Sequence, residues 1–192
     1  MINNQNYRIV PTRRGLSLFL VTATASLALT ACSTAPRSED GRVDVRQDSN
    51  AALVKVHTND PTMSKVISDA HGSAVFPKVG KGAAGVGGAY GKGVLFQDGR
   101  IVGYCDVSQA SIGLQLGAQT YTEIICFEDQ KSFDLFKTGN FALDAQATAV
   151  ALKSGSGANA KYSNGVAVFT MEETGLMFEA SIGGQKFGYE AL

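Results

Sequence analysis

The spacing of apolar and polar residues changes rhythm at Gly72. Before it, Met63, Val66, Ile67 and Ala70 follow the i, i+3, i+4, i+7 rule and give a helix one apolar face. Asp60-Pro61 supplies its start, with Asp as the cap and Pro where a missing N–H costs nothing. Gly72 supplies its stop. A shorter helical turn is predicted over 51–56, so 51–72 forms the main helical region. Beyond Gly72 the period becomes two. Residues 74–76 read as a short strand closed by Pro77. Residues 94–97 and 100–107 flank Asp98-Gly99, a strong type I′ hairpin signal. Ile112, Leu114 and Leu116 alternate with Gly113, Gln115 and Gly117, and 121–127 is rich in β-formers. A short helix over 129–137 turns Phe133 and Phe136 inward and ends at Gly139. Residues 141–152 alternate weakly, and their alanines leave helix open. Residues 166–171 and 176–182 form a closing pair, and 185–189 an edge strand. The sum is an α+β domain: N-terminal helices, a glycine-rich antiparallel sheet or partly closed barrel, and one short inserted helix.

The first 31 residues follow a different rule. Arg8, Arg13 and Arg14 precede an apolar run over 16–29, with no acidic residue. That is the pattern of an export signal, and the run is shorter than the roughly 20 apolar residues of a membrane span. It ends in Leu29-Thr30-Ala31-Cys32, which resembles a bacterial lipobox, with Cys32 as the lipidated first residue of the mature chain. Ser33 in place of Asp then favours the outer membrane, facing the periplasm. Residues 32–50 mix Ser, Pro, Asp and Arg without an aromatic and read as a flexible, lipidated tether. The folded domain is assigned to 51–192.

Composition narrows the function. Loss of Arg8, Arg13 and Arg14 moves the formal charge from zero to −3, which gives no bulk attraction to nucleic acid. With Cys32 acylated, Cys105 and Cys126 remain as either a cross-strand disulfide or two buried thiols.

Residues 77–93 read PKVGKGAAGVGGAYGKG, and Gly80 to Gly85 matches G-x-G-x-x-G. A dinucleotide site needs a helix next, and four glycines in the following eight residues will not hold one. A phosphate loop also fails, because Val86 and Gly93 stand where Gly and Ser or Thr are required. The alternating glycines instead predict a strand whose inward face is bare, for close approach or sharp curvature. Lys78, Lys81 and Lys92 lie in that stretch without an acid. They are either phosphate contacts helped by free backbone N–H groups or solvated lysines guarding an edge.

Catalytic patterns are missing. His57 and His71 are the only histidines, and no H-E-x-x-H, C-x-x-C or G-x-S-x-G occurs. Gly155-Ser156-Gly157 is a loop, and Glu172-Glu173 point to opposite faces of a strand or sit in a turn. The sequence reads as a non-enzyme, without cofactor, nucleotide or metal.

Ala74-Val75-Phe76-Pro77 followed by Gly85-Val86-Gly87-Gly88-Ala89-Tyr90-Gly91-Lys92-Gly93-Val94-Leu95 resembles the opening of the SYLF domain, also called the yeast-type actin-binding domain. Residues 108–119, with Ser111, Gly113, Gln115, Gly117 and Gln119 in alternation, resemble its second motif. Residues 175–184, opening Gly175-Leu176, resemble its closing motif. Bacterial members are often lipoproteins, in keeping with Cys32. The resemblance implies phospholipid binding; the actin binding and phosphoinositide preference of eukaryotic members do not suit a bacterial envelope. The expected function is therefore an outer-membrane lipoprotein that binds anionic phospholipid head groups, with Lys78, Lys81 and Lys92 at the phosphate. The alternative is a structural envelope lipoprotein acting through protein contacts. The helical face at Met63, Val66 and Ile67 either packs on the core or touches acyl chains.

Overall fold

The computed structural model describes residues 38–145, 147–175 and 182–192, apart from the side chains of 83–86, 111–116, 174 and 175. All of them belong to one compact unit, Ala31–Leu192. The signal over 1–31, Cys32, residues 33–37 and most of the closing motif lie outside the described residues.

Two long strands build the domain: β1 (Gly72–Gln97) and β2 (Arg100–Phe127). They pair antiparallel from Gly72 against Phe127 to Gln97 against Arg100. Asp98 and Gly99 both have positive φ, 49° and 72°, as a type I′ turn requires. The separate short strands expected over 74–127 are thus segments of one ribbon. Register shifts interrupt it between Phe76 and Val79, Ala84 and Val86, and Leu95 and Phe96. The first shift spans Pro77, which has no N–H to give, and the Thr122 hydroxyl donates to the Pro77 carbonyl at 2.9 Å.

A straight 26-residue strand is roughly 85 Å long, about twice the width of a domain this size. The ribbon therefore folds over itself, and glycine marks the crossing. A Cβ at Gly93 would overlap the Val75 carbonyl oxygen, and one at Gly91 would stand 2.9 Å from the Lys78 carbonyl oxygen. Ala89, Gly91 and Gly93 are buried while Tyr90 and Lys92 are exposed, so the bare face of the strand points inward as its parity predicts.

β2 is the spine of a six-stranded sheet. Its outer end pairs with β5 (Val166–Gly175), and its other end pairs with β6 (Lys186–Ala191). The order is β3-β6-β2-β5-β4, with β1 on β2, where β3 is Phe141–Ala142 and β4 is Val150–Ala151. β6 is thus flanked on both sides rather than an edge. The sheet is antiparallel except that β4 runs parallel to β5.

Alternation along β2 separates two cores. Tyr121, Ile125 and Phe127 face the inside of the curl. There α3 (Gln130–Lys137) presses Phe133 and Phe136 against Phe127, Phe141 and Phe187. Burial of each such ring stabilises by about 1.5–3 kcal/mol. Asp129 caps α3, with its carboxylate accepting from the Ser132 N–H at 2.8 Å, and Gly139 ends the turn with φ 70°. Ile124 and Cys126 face the opposite way, under the helices.

The first helix, α1 (Glu39–Asn59), is longer than expected. Val45, Ser49, Ala52 and Val56 recur at three- and four-residue steps and are buried on the outer core. The tether assigned to 32–50 is therefore corrected over 39–50, which is helix. This stretch is polar on most of its faces, so its narrow apolar stripe is invisible to composition. Arg42 anchors it, meeting Glu190 at 2.8 Å and lying 4.8 Å over the Tyr104 ring. α2 (Met63–Asp69) is a short turn; Met63 is fully buried, and Val66 and Ile67 pack beside it, so that face serves the core.

Asp60 sits at the corner between α1 and α2. Its carboxylate accepts from the Thr62 N–H and hydroxyl at 3.0 and 2.6 Å and from the Gly155 and Gly157 N–H groups at 3.0 and 2.7 Å. Burial works to raise its pKa, but these donors outweigh it and hold the carboxyl below its ordinary value. Cys105 lies in the inner core and Cys126 in the outer one. Both are free thiols, which corrects the disulfide option: residues of odd and even number on one strand point to opposite faces.

Replacing Gly93 by Ala lowers stability by about 1–3 kcal/mol, because backbone must move to admit the methyl. Gly80→Ala, whose Cβ comes no closer than 3.9 Å to any neighbour, leaves the denaturant midpoint nearly unchanged. Comparable losses in the two urea titrations would refute the crossing as the reason for glycine.

Candidate functional site

The three lysines singled out in the glycine stretch do not share a surface. Lys78 is exposed and lies 3.4 Å from Asp48 of α1. Lys92 is exposed and stands opposite Asp106 on β2. Lys81 falls on the inner side of the curl with 5% of its surface exposed. Strand parity explains the split: exposed and buried residues alternate from Lys78 to Gly82, and Lys81 is odd-numbered where Lys78 and Lys92 are even. Among the described residues β1 has no strand partner besides β2, and its Gly80, Gly82 and Gly88 are exposed.

Lys81 belongs to a polar row inside the curl. It stands opposite Gln119 on β2, and Tyr121 and Glu123 follow on the same face. Thr170 of β5 faces Glu123 across the ladder. Gln185 enters from the turn before β6, where its carbonyl accepts from the Leu143 N–H at 2.9 Å. Its Nε2 donates to Glu123 Oε2 at 3.0 Å and to the Tyr121 hydroxyl at 3.2 Å. Gln119 and Lys81 keep 5% exposure, whereas Glu123 and Gln185 have none. The row thus runs inward from a nearly covered end to a fully covered one.

Its electrostatics are under tension. Burial raises the Glu123 pKa to about 7, and hydrogen bonds from Gln185 and Tyr121 and the charge of Lys81 only partly oppose it. Burial pulls Lys81 below its ordinary value, against the opposing charge of Glu123. Burial, then the Glu123 charge, pushes the Tyr121 hydroxyl up. Three buried oxygens on the row, Oε1 of Gln119, Glu123 and Gln185, have no hydrogen-bond donor. An arrangement of this kind holds and orients polar groups. It has no nucleophile beside a base, and the described residues contain no cluster of three or more His, Cys, Asp or Glu able to hold a metal.

Sequence reading passed over Glu123, Gln119 and Gln185. The signal was present in parity: Gln119, Tyr121, Glu123, Ile125 and Phe127 share one face of a strand, and two of the five are polar where the others form core. Gln185 carried no such mark, since a turn residue has no parity.

Glu123 predicts a pH profile of stability. Its folded pKa lies above the ordinary 4.5, so between about pH 4.5 and 7 the folded state binds the proton more tightly than the unfolded chain. Stability contributed by that proton is full below this window and lost as pH rises through it, by about 3 kcal/mol in all. Glu123→Gln flattens the profile and raises stability at pH 8. Urea midpoints from pH 4.5 to 8 measure it, and an equal slope in the variant would assign the effect elsewhere.

Two comparisons bear on this architecture. Residues 108–190 match the Ysc84 family, described as Las17-binding protein actin regulator. The chain is also similar to Beta cell expansion factor A of Aeromonas veronii, 28% identical over 153 residues, which cover 78% of this chain and 58% of that protein. The match to residues 108–190 takes in most of β2, α3, the linking strands and β6, with Gln119, Tyr121, Glu123, Thr170 and Gln185 among them. SYLF domains are binding domains, known for binding lipid, and not an enzyme class. Over these residues the chain is similar to the SYLF, or Ysc84-type, family.

Proposed function

We propose that this chain is an envelope lipoprotein, acylated at Cys32 and held at the outer membrane facing the periplasm, whose SYLF domain binds anionic phospholipid head groups. The observation that carries the reading is the edge of β1, which among the described residues has no second strand on it. Exposed Lys78 and Lys92 flank a backbone reduced to glycine, on a domain of a lipid-binding family. Glycine lets a phosphate approach the strand closely, and unpaired edge N–H groups favour an anion. The Lys78–Asp48 pair is exposed at both partners, and such pairs contribute only about 0–1 kcal/mol, so a phosphate readily displaces it. Lys81 adds its charge from the inner side. Acyl chains on Cys32 supply the permanent anchor, since two or more buried chains hold where one binds reversibly.

A second reading rests on the same edge. A partner protein can add a strand to it, with main-chain hydrogen bonds giving affinity. The chain would then be a structural envelope protein whose contacts are with protein rather than lipid.

Vesicle sedimentation separates the two. The protein used is residues 33–192, which retains all of α1 and both cores. It binds vesicles containing anionic lipid and ignores neutral ones, and binding weakens as salt screens the charges. Lys78→Glu with Lys92→Glu lowers anionic binding by about tenfold or more, since each reversed contact to phosphate costs about 1 kcal/mol or more. Undiminished sedimentation of the double variant favours the protein-contact reading. The anchor has its own test: labelled fatty acid is incorporated into the full-length chain in bacterial cells and not into Cys32→Ser. An unlabelled wild-type chain would remove the lipoprotein assignment.

A further inference from the structure

We infer that the inner row is where a bound lipid is read: Gln119, Glu123 and Gln185 accept hydrogen bonds from the hydroxyls of a phosphoglycerol head, while the phosphate stays with the lysines. The inference rests on the lipid-binding reading above and names the head group that it favours.

Three facts point to hydroxyl donors. First, Oε1 of Gln119, of Glu123 and of Gln185 are buried acceptors without a donor. Unsatisfied buried acceptors are rare, and three along one row make a surface that asks for O–H or N–H. Second, the Gln185 amide cannot turn to relieve this. Gln185 Nε2 is committed to Glu123 Oε2 and the Tyr121 hydroxyl, and reversing the amide would set its oxygen against the carboxylate. Third, the charge around the row disfavours an ammonium. Lys81 of β1 lies on the same face, and the other titratable groups turned toward Glu123 are Tyr121 on β2 and Lys81 itself. The charge of Lys81 offsets that of ionised Glu123, so the row offers acceptors without net negative charge. Neutral hydroxyls suit that better than an ethanolamine or serine ammonium. A choline or methyl ester brings no donor at all.

Access follows the gradient of burial. Gln119 and Lys81, at 5% exposure, form the outer end, and Glu123 and Gln185 the inner end. Lys81 stands opposite Gln119, so a phosphate that reaches Lys81 has its polar head beside the outer end of the row.

The test holds charge constant. Residues 33–192 are titrated with vesicles carrying equal mole fractions of phosphatidylglycerol or phosphatidylmethanol, which share one negative charge and differ in the hydroxyls. Phosphatidylglycerol binds about tenfold more tightly, the worth of one or two hydrogen bonds. Gln119→Leu with Gln185→Leu brings its affinity down to that of phosphatidylmethanol without changing the latter. Should that variant unfold, Glu123→Gln with Gln119→Leu gives the same readout, and the wild-type preference needs no variant. Free glycerol 1-phosphate separates the sources of the head: competition shows recognition in solution as well, and no competition with the preference intact shows recognition within the bilayer. Equal affinity for both lipids overturns the inference and leaves lipid binding standing. Failure to bind either lipid overturns both.

Discussion

The backbone of β1 touches itself. The crossing of Val75 over Gly93 closes a ribbon too long to lie flat, and the inner core exists only because that contact has no side chain in it. From this one approach follow the enclosed face of β2, the seat of α3 and the position of Lys81 inside rather than outside. A face made of glycine sacrifices packing area and loses more chain entropy on folding than any other choice. The phenylalanine cluster around Phe127 and the helical cover on the opposite face offset that loss.

Two buried carboxylates in this domain meet opposite fates. Asp60 receives four hydrogen bonds and remains ionised without a cation. It joins the α1–α2 corner to the loop at Gly155 and Gly157, a joint where every partner is filled. Glu123 receives too few for its burial and shifts toward its neutral form. A filled joint is architecture, whereas an underfilled buried group carries a cost to stability that architecture does not need.

Much of the fold was legible in the residues. Asp98-Gly99 fixed the hairpin, Asp129 and Gly139 bounded α3, and alternation around Gly91 and Gly93 gave the bare inward face. What escaped was non-local. The length of β1 and β2 was hidden because glycine-rich segments lack a strand-former signature, so one ribbon read as several pieces. The first half of α1 was hidden because a stripe of Val45, Ser49, Ala52 and Val56 is too sparse to register against six charged neighbours in 39–50. Lys81 was grouped with Lys78 and Lys92 by proximity in sequence, although its odd parity turns it inward. Cys105 and Cys126 looked like a pair because an oxidising compartment was expected, while their parity on a single strand forbade it. The domain family was visible in the alternating glycines and glutamines of 111–119, yet the acid two turns of the pleat further on was not.

The contact between Arg42 and Glu190 joins the first turn of α1 to the last strand, across 148 positions of sequence. As the chain emerges from the ribosome, α1 is made first and has nothing to dock on. Its seat needs β1, β2 and β5, and its latch needs β6, the final element before the C-terminus. A topology dominated by such distant pairings folds slowly, because loops must close before any contact rewards them. The latch on α1 therefore closes only after β6 has been made, and until then the helix has no fixed seat.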